Sequence, residues 1–245
     1  MTIGLLGYGR FGRLVADLLA KRVNVVVWDP SRPRRTRPGK RVKWGTLEQV
    51  ARQRIVLLAV PISTMRPVLR RIRPLVVPGS LVVDVCAVKS LPVRWMAAML
   101  PPDISLLGTH PLFGPDSYSG TLRGHRIVLC PVRGPGRIVR DAKRLLAREG
   151  LTVEVMDPDD HDRMMADTVF LTQCVGRAVA AAGLAATPGG TVFYRQLRSM
   201  VDVARNDSEE LFLDMWRFNR HARTVARRLG MGWNHLQHLL TSSSL

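Results

Sequence analysis

Residues 7 to 12 read Gly7-Tyr8-Gly9-Arg10-Phe11-Gly12, three glycines at G-x-G-x-x-G spacing, directly after the apolar run Ile3 to Leu6. That spacing suits an anion whose oxygens must come close to the backbone. Gly7 permits a tight turn, Gly9 removes the Cβ that would hold a phosphate away, and Gly12 lets the next helix pack against the strand. Exposed amides and the helix dipole then bind a pyrophosphate. The motif alone is weak; its position between a strand and a helix gives it weight. Asp29 follows Gly9 by 20 residues, at the end of a second apolar run. A carboxylate there accepts hydrogen bonds from ribose hydroxyls, which favours NAD over NADP. NADP stays open, because Arg32, Arg34 or Arg35 reaches a 2′-phosphate if that segment folds back. Tyr8, Arg10 and Phe11 belong to the expected cofactor loop, joined by Val60, Pro61 and Cys86 at the ends of later apolar runs. A strand-ending proline would read the same way at Pro61.

A second group of reactive side chains sits further on. His110 lies in Gly108-Thr109-His110-Pro111-Leu112-Phe113-Gly114-Pro115, just after an apolar run. A neutral imidazole near its ordinary pKa of about 6.5 can accept a proton at physiological pH. Taken alone, such a histidine is more often structural or solvated than catalytic.

These residues need a sheet to position them. Short β-branched runs at 3–6, 24–28, 55–60, 81–85, 104–107, 126–130 and 152–155 read as strands. They alternate with helical segments such as 10–21, 64–73 and 135–148, as βαβ units do. Several of these runs do not alternate in polarity, as expected of strands covered on both faces. His110 then falls beyond a strand's carboxyl end, the ligand side of such sheets. The Pro- and Arg-rich segment 30–43 reads as a surface loop. After Pro158 the pattern turns helical, with long stretches at 163–186 and 196–229 separated by the turn Thr187-Pro188-Gly189-Gly190, and a serine-rich tail at 241–245. The expected architecture is α/β: a doubly wound parallel Rossmann sheet at 1–157, followed by an all-helical domain at 158–245.

Composition narrows the classes further. The net charge is +18, yet 32 of the 37 basic residues are arginine and they are dispersed along the chain rather than gathered on one arm or helix face. That dispersion argues against nucleic acid as the partner. It fits arginine-rich codon usage together with a positive field that draws anionic ligands to a cleft. The three cysteines, Cys86, Cys130 and Cys174, are widely spaced in apolar surroundings and form no C-x-x-C pair, so neither zinc nor a disulfide framework is expected. No apolar run of 18 residues and no cleavable leader appears, and the expected compartment is the cytoplasm.

Three further segments carry a family likeness. Asp84-Val85-Cys86-Ala87-Val88-Lys89, the Gly108 to Pro115 segment and His161-Asp162-Arg163, in that order after the glycine loop, resemble the prephenate and arogenate dehydrogenases of tyrosine biosynthesis. The resemblance implies oxidative decarboxylation of a cyclohexadienol dicarboxylate: hydride passes to the nicotinamide, a base takes the hydroxyl proton, and carbon dioxide leaves as the ring becomes aromatic. It makes His110 the base and Arg195 the group that holds the ring carboxylate, with Arg198 as the fallback if the alignment slips across the turn at 187–191. It also matches Lys89, for which a surface or capping role reads equally well. It further implies a homodimer through the helical domain.

Two positions depart from the family pattern. Ala87 stands where the family usually has a serine, and Gln173 where it commonly has a histidine facing the substrate. Thr109 or a water is the expected substitute for the missing serine hydroxyl. A ligand with a different ring substituent, such as 4-amino-4-deoxyprephenate, is compatible with both changes. Two other readings compete. One is a nucleotide-sensing protein without catalysis, for which Ala87 speaks. The other is a different short Rossmann dehydrogenase, such as a β-hydroxyacid dehydrogenase or pyrroline-carboxylate reductase. Those lack the segment around His110, and the former needs a lysine on the central helix, whereas no lysine follows Lys143.

Overall fold

The computed structural model describes residues 1–31, 39–183, 187 and 190–242. It divides into two compact units, Met1–His161 and Asp162–Leu245, with the division four residues later than the 157/158 boundary read from the pattern. Arg32, Arg34, Arg35, Pro188 and Gly189 lie outside the described residues.

In the first unit, eight strands among the described residues form one sheet: β1 (Thr2–Leu6), β2 (Asn24–Trp28), β3 (Val42–Trp44), β4 (Ile55–Leu58), β5 (Leu81–Asp84), β6 (Ser105–Pro111), β7 (Arg126–Arg133) and β8 (Thr152–Val155). Their spatial order is β3-β2-β1-β4-β5-β6-β7-β8. The first six are parallel; β7 runs antiparallel to β6, and β8 parallel to β7. The order reverses between β1 and β4, which puts the topological switch point at their carboxyl ends, where doubly wound sheets bind ligands.

Helices α1 (Arg10–Ala20), α2 (Leu47–Ala51), α3 (Ile62–Ile72), α4 (Ser90–Met99) and α5 (Arg137–Arg148) connect the strands. Alternate side chains face opposite layers. Leu5, Val25 and Val27 pack toward Ala16 and Leu19 of α1, while a Cβ at Gly4 would run into Val50 of α2. Farther along, Val83, Leu107, Leu129 and Ile127 meet Ile138, Ala142 and Leu146 of α5. Burying side chains of this size stabilises by about 2 kcal/mol each, so covering both faces is what holds the sheet.

Two local expectations need correction. The end of the presumed loop 30–43 contributes Val42 and Lys43 to β3, in register with Val25 and Val26. Three residues beside arginines are too few to show a strand period. His110 lies within β6, not beyond it, because β6 continues through Pro111.

The second unit continues the helix α6 (Pro158–Met165) through a π-helical stretch, Ala166–Phe170, into α7 (Leu171–Ala181). Then come α8 (Val192–Asn206), α9 (Glu209–Phe218) and α10 (Ala222–Ser242). The single helix expected at 196–229 is therefore three. Ser208 caps α9 by accepting from the Leu211 amide, and the Asn219 side chain donates to the Asp162 carbonyl while accepting from the His221 amide. Such side chains offer the backbone partners that an uninterrupted helix would not. Phe170 stacks on Phe212 and Trp216 beneath the π turn. Gly176 lets α7 and α8 touch, since a Cβ there would lie 2.7 Å from that of Ala204. Among the described residues no helix is long and apolar enough to cross a membrane.

Candidate active site

The glycine loop is built from backbone geometry. Gly7 has φ +96°, and a Cβ on it would sit 2.2 Å from the Ala59 carbonyl oxygen. Only glycine fits that turn. A Cβ at Gly12 would lie 2.3 Å from the Gly7 carbonyl oxygen, so α1 seats directly on the turn. Gly9 differs: nothing lies within 4 Å of its would-be Cβ, and it begins α1 with no side-chain cap. The N-terminus of α1 therefore has open space beside Gly9 at the switch point. That is the cradle a pyrophosphate needs, and a dinucleotide fits the residues present.

Asp29 is tied to this loop. Its Oδ2 accepts from the Tyr8 amide at 2.7 Å, and its Oδ1 accepts from the amide and hydroxyl of Ser31. Both lone pairs of Oδ1 are taken by Ser31, and Oδ2 keeps one for a ribose hydroxyl. Tyr8 contributes to the loop through its backbone alone, because its ring is buried edge-on against Trp44. Arg10, in the first turn of α1, makes a two-bond pair with Asp116 from the β6–β7 connection. Val60 borders Gly7, and its carbonyl lies 3.8 Å from the Cys86 sulfur. The Gly7, Val60 and Cys86 expected of one cleft are thus neighbours, with Pro61 exposed at the start of α3.

Beyond Asp84, β6 runs on for three residues, Thr109 to Pro111, paired only with β7. A buried cluster fixes that overhang. Lys89 has no exposed surface; its ammonium pairs with the Asp84 carboxylate and donates to the Thr109 carbonyl at 2.7 Å. The Thr109 hydroxyl donates to the Asp84 carbonyl at 2.7 Å. Burial pushes the Asp84 carboxyl up from its ordinary pKa, and Lys89 pulls it back.

The next residue, His110, places Nδ1 2.9 Å from Nε2 of His161, with the rings edge to face. Desolvation first, then the neighbouring His161 and the Lys89 charge, hold its pKa well below 6.5. His110 is accordingly neutral at physiological pH and carries one lone pair for a proton. Three strand spacings, roughly 14 Å, separate β1 from β6 along the carboxyl edge. A ligand anchored at the glycine loop must extend that far to meet His110.

Several expected substrate contacts are engaged elsewhere. Lys89 acts inside the sheet. The Thr109 hydroxyl spends its proton on Asp84, so it is not a free donor in place of the absent serine. Gln173 is buried in the second unit, donating to Asp207 and accepting from Arg177, whose guanidinium also donates to the Asp207 and Ser208 carbonyls. Its amide ties α7 to the α8–α9 turn. Ala87 is half-buried in the β5–α4 turn. Arg195 is exposed on α8 with one nitrogen donating to the Gly190 carbonyl, and Arg198 lies 3.8 Å from Asp202. The sequence carries no signal for the pairing of His110 with His161: the segment His161-Asp162-Arg163 lies 51 residues away, and only the fold brings the rings together. Among the described residues no group of three His, Cys, Asp or Glu side chains is arranged to hold a metal.

Comparison with known proteins agrees in direction with this geometry. Residues 28–155 match the nucleotide-binding domain of prephenate dehydrogenase, a span that begins after the glycine loop. Residues 178–244 match a TYRAAT1-like C-terminal domain. Arogenate dehydrogenase 1 of Arabidopsis thaliana, a chloroplastic protein, is 27% identical over 99% of this chain, and arogenate dehydrogenase 2 of the same plant is 30% identical over 75%. The aligned regions span 40% and 53% of the length of those two relatives. Among solved structures, prephenate dehydrogenase from A. aeolicus, in complex with hydroxyphenyl propionate and NAD+, superposes with a TM-score of 0.77 at 19% identity, covering 99% of this chain and 91% of that one. Synechocystis arogenate dehydrogenase superposes with a TM-score of 0.69 at 21% identity, covering 98% and 91%. At those identities the structural likeness speaks for the fold.

Proposed function

Because this chain belongs to the prephenate dehydrogenase family, we propose that it oxidises and decarboxylates a prephenate-type cyclohexadienol, with His110 as the base. The observation that carries this reading is the imidazole at the overhanging end of β6, on the same sheet edge as the open glycine loop, where desolvation holds its pKa below the ordinary value. A nicotinamide dinucleotide supplies, when bound, the acceptor for the hydride on the ring carbon that bears the hydroxyl. Gly9 and the first turn of α1 hold the pyrophosphate, and Asp29 holds the ribose hydroxyls, which favours NAD over NADP. Nε2 of His110 takes the hydroxyl proton as the hydride leaves, and returns it to the phenolate oxygen after carbon dioxide has departed and the ring is aromatic.

Arg195, or Arg198 in its place, holds the ring carboxylate. Ala87 supplies no hydroxyl to the ring substituent. Recognition at that position therefore differs from a serine-bearing site, and an amino group in place of the hydroxyl is admitted. NADH formation with prephenate, arogenate and 4-amino-4-deoxyprephenate tests the reading: turnover of at least one is expected, and NAD binding with no turnover of any of them defeats it. The helical unit also pairs with a second copy. Trp233, Leu236, Leu239 and Leu240 leave an apolar face on α10 exposed, and sedimentation at micromolar concentration should find a dimer.

A further inference from the structure

The contact between His110 and His161 has a direction. Two imidazole nitrogens 2.9 Å apart share one proton, so one ring donates and the other accepts. If Nδ1 of His110 accepted, its own proton would sit on Nε2 and the ring would have no lone pair left for a substrate. If Nδ1 donates to His161, Nε2 of His110 is left bare. We infer that His161 is the positioning residue of this site: its Nε2 accepts the Nδ1 proton of His110, fixing both the ring plane and the tautomer in which Nε2 is basic. The inference rests on the proposed role of His110 as base.

The surrounding structure favours a fixed partner over a chance contact. Both rings are referenced to the same two consecutive residues, Lys89 and Ser90, at the start of α4. Lys89 holds the Thr109 carbonyl, immediately before His110, and the hydroxyl of the next residue, Ser90, donates to the Pro158 carbonyl at the start of α6. His161 begins the regular bonding of that helix, its amide donating to the Asp157 carbonyl at 3.0 Å. The imidazole of His161 is fully buried. A buried ring with a defined partner orients its neighbour as outer-shell carboxylates orient metal-bound histidines. The surroundings also suit this arrangement: desolvation first, then His161 and Lys89, disfavour an imidazolium at His110.

The test has two arms. In the NAD-loaded protein, 15N-resolved NMR of the histidine side chains should show His110 protonated at Nδ1 and bare at Nε2. His161→Leu, which removes the acceptor, should shift His110 toward the other tautomer and lower kcat on the order of 10- to 100-fold, with KM values for dinucleotide and substrate within about twofold. His161→Gln, whose amide oxygen can accept from the same direction, should keep kcat within about fivefold. A wild-type His110 protonated at Nε2, or a folded His161→Leu variant with full kcat, overturns the inference. Should His161→Leu fail to fold, the wild-type spectrum and the glutamine variant still decide it. The NMR arm needs no turnover, so a protein inactive on all three cyclohexadienyl substrates defeats the proposed function without deciding the tautomer.

Discussion

The two ends of the candidate site are built by different means. The glycine loop is six consecutive residues shaped by their backbone, and two of its glycines are required by backbone contacts: Gly7 against Ala59, Gly12 against Gly7. The His110 end is assembled from side chains of three separate segments, 84–90, 109–110 and 157–161, none able to form the site alone. A backbone cradle tolerates change in every side chain that points away from it. A side-chain cluster fails when one member is lost, because each buried partner is left uncompensated.

Experiments can break or sharpen that contrast. The largest expected effect is on chemistry at the side-chain end. His110→Asn should lower kcat by about 10²- to 10⁴-fold while leaving NAD affinity intact, as measured by steady-state rates and dinucleotide titration. In the unaltered protein the same group sets the pH dependence. His110 works when neutral and its pKa lies below 6.5, so kcat/KM should stay level as pH falls to 6.5 and decline only at more acidic values. A decline already complete at neutral pH would contradict the assignment.

Next in size is stability. Lys89→Ala strands the Asp84 carboxylate in the sheet and should cost about 3–5 kcal/mol in denaturant unfolding. Arg10→Ala breaks a pair that is largely exposed on the arginine side and should cost under about 1 kcal/mol. Equal losses would mean that the buried cluster is no more demanding than the surface. The smallest expected effect belongs to Gly9→Ala. With open space beside Gly9 the unfolding midpoint should barely move, whereas the added methyl should weaken NAD binding about tenfold in a fluorescence titration, the cost of roughly one lost phosphate contact.

The same contrast governs what could be read without coordinates. The G-x-G-x-x-G spacing, the apolar runs of β1, β2, β4 and β5, and Asp29 after Trp28 are local signals, and the fold presents them in that form. β3 escaped because three residues beside arginines show no period, and its place in the sheet comes only from pairing with β2. The helix expected at 196–229 is continuous in apolar spacing, but Ser208 and Asn219 divide it through partners on the turns themselves. Lys89 and Gln173 are legible in the sequence as polar residues within apolar segments. Their partners, Asp84 with the Thr109 carbonyl and Asp207 with Arg177, decided where they act.

By itself the order of residues determined that a glycine turn follows the first strand and that a histidine-bearing segment lies at the carboxyl edge of the sheet, because both depend on short-range backbone rules. The meeting of His110 with His161, and the sealing of Lys89 beneath the β6 overhang, were decided by tertiary structure alone. Hydrogen bonds and desolvation act through distance in space, and residues 51 positions apart become neighbours only when the sheet and α6 have formed.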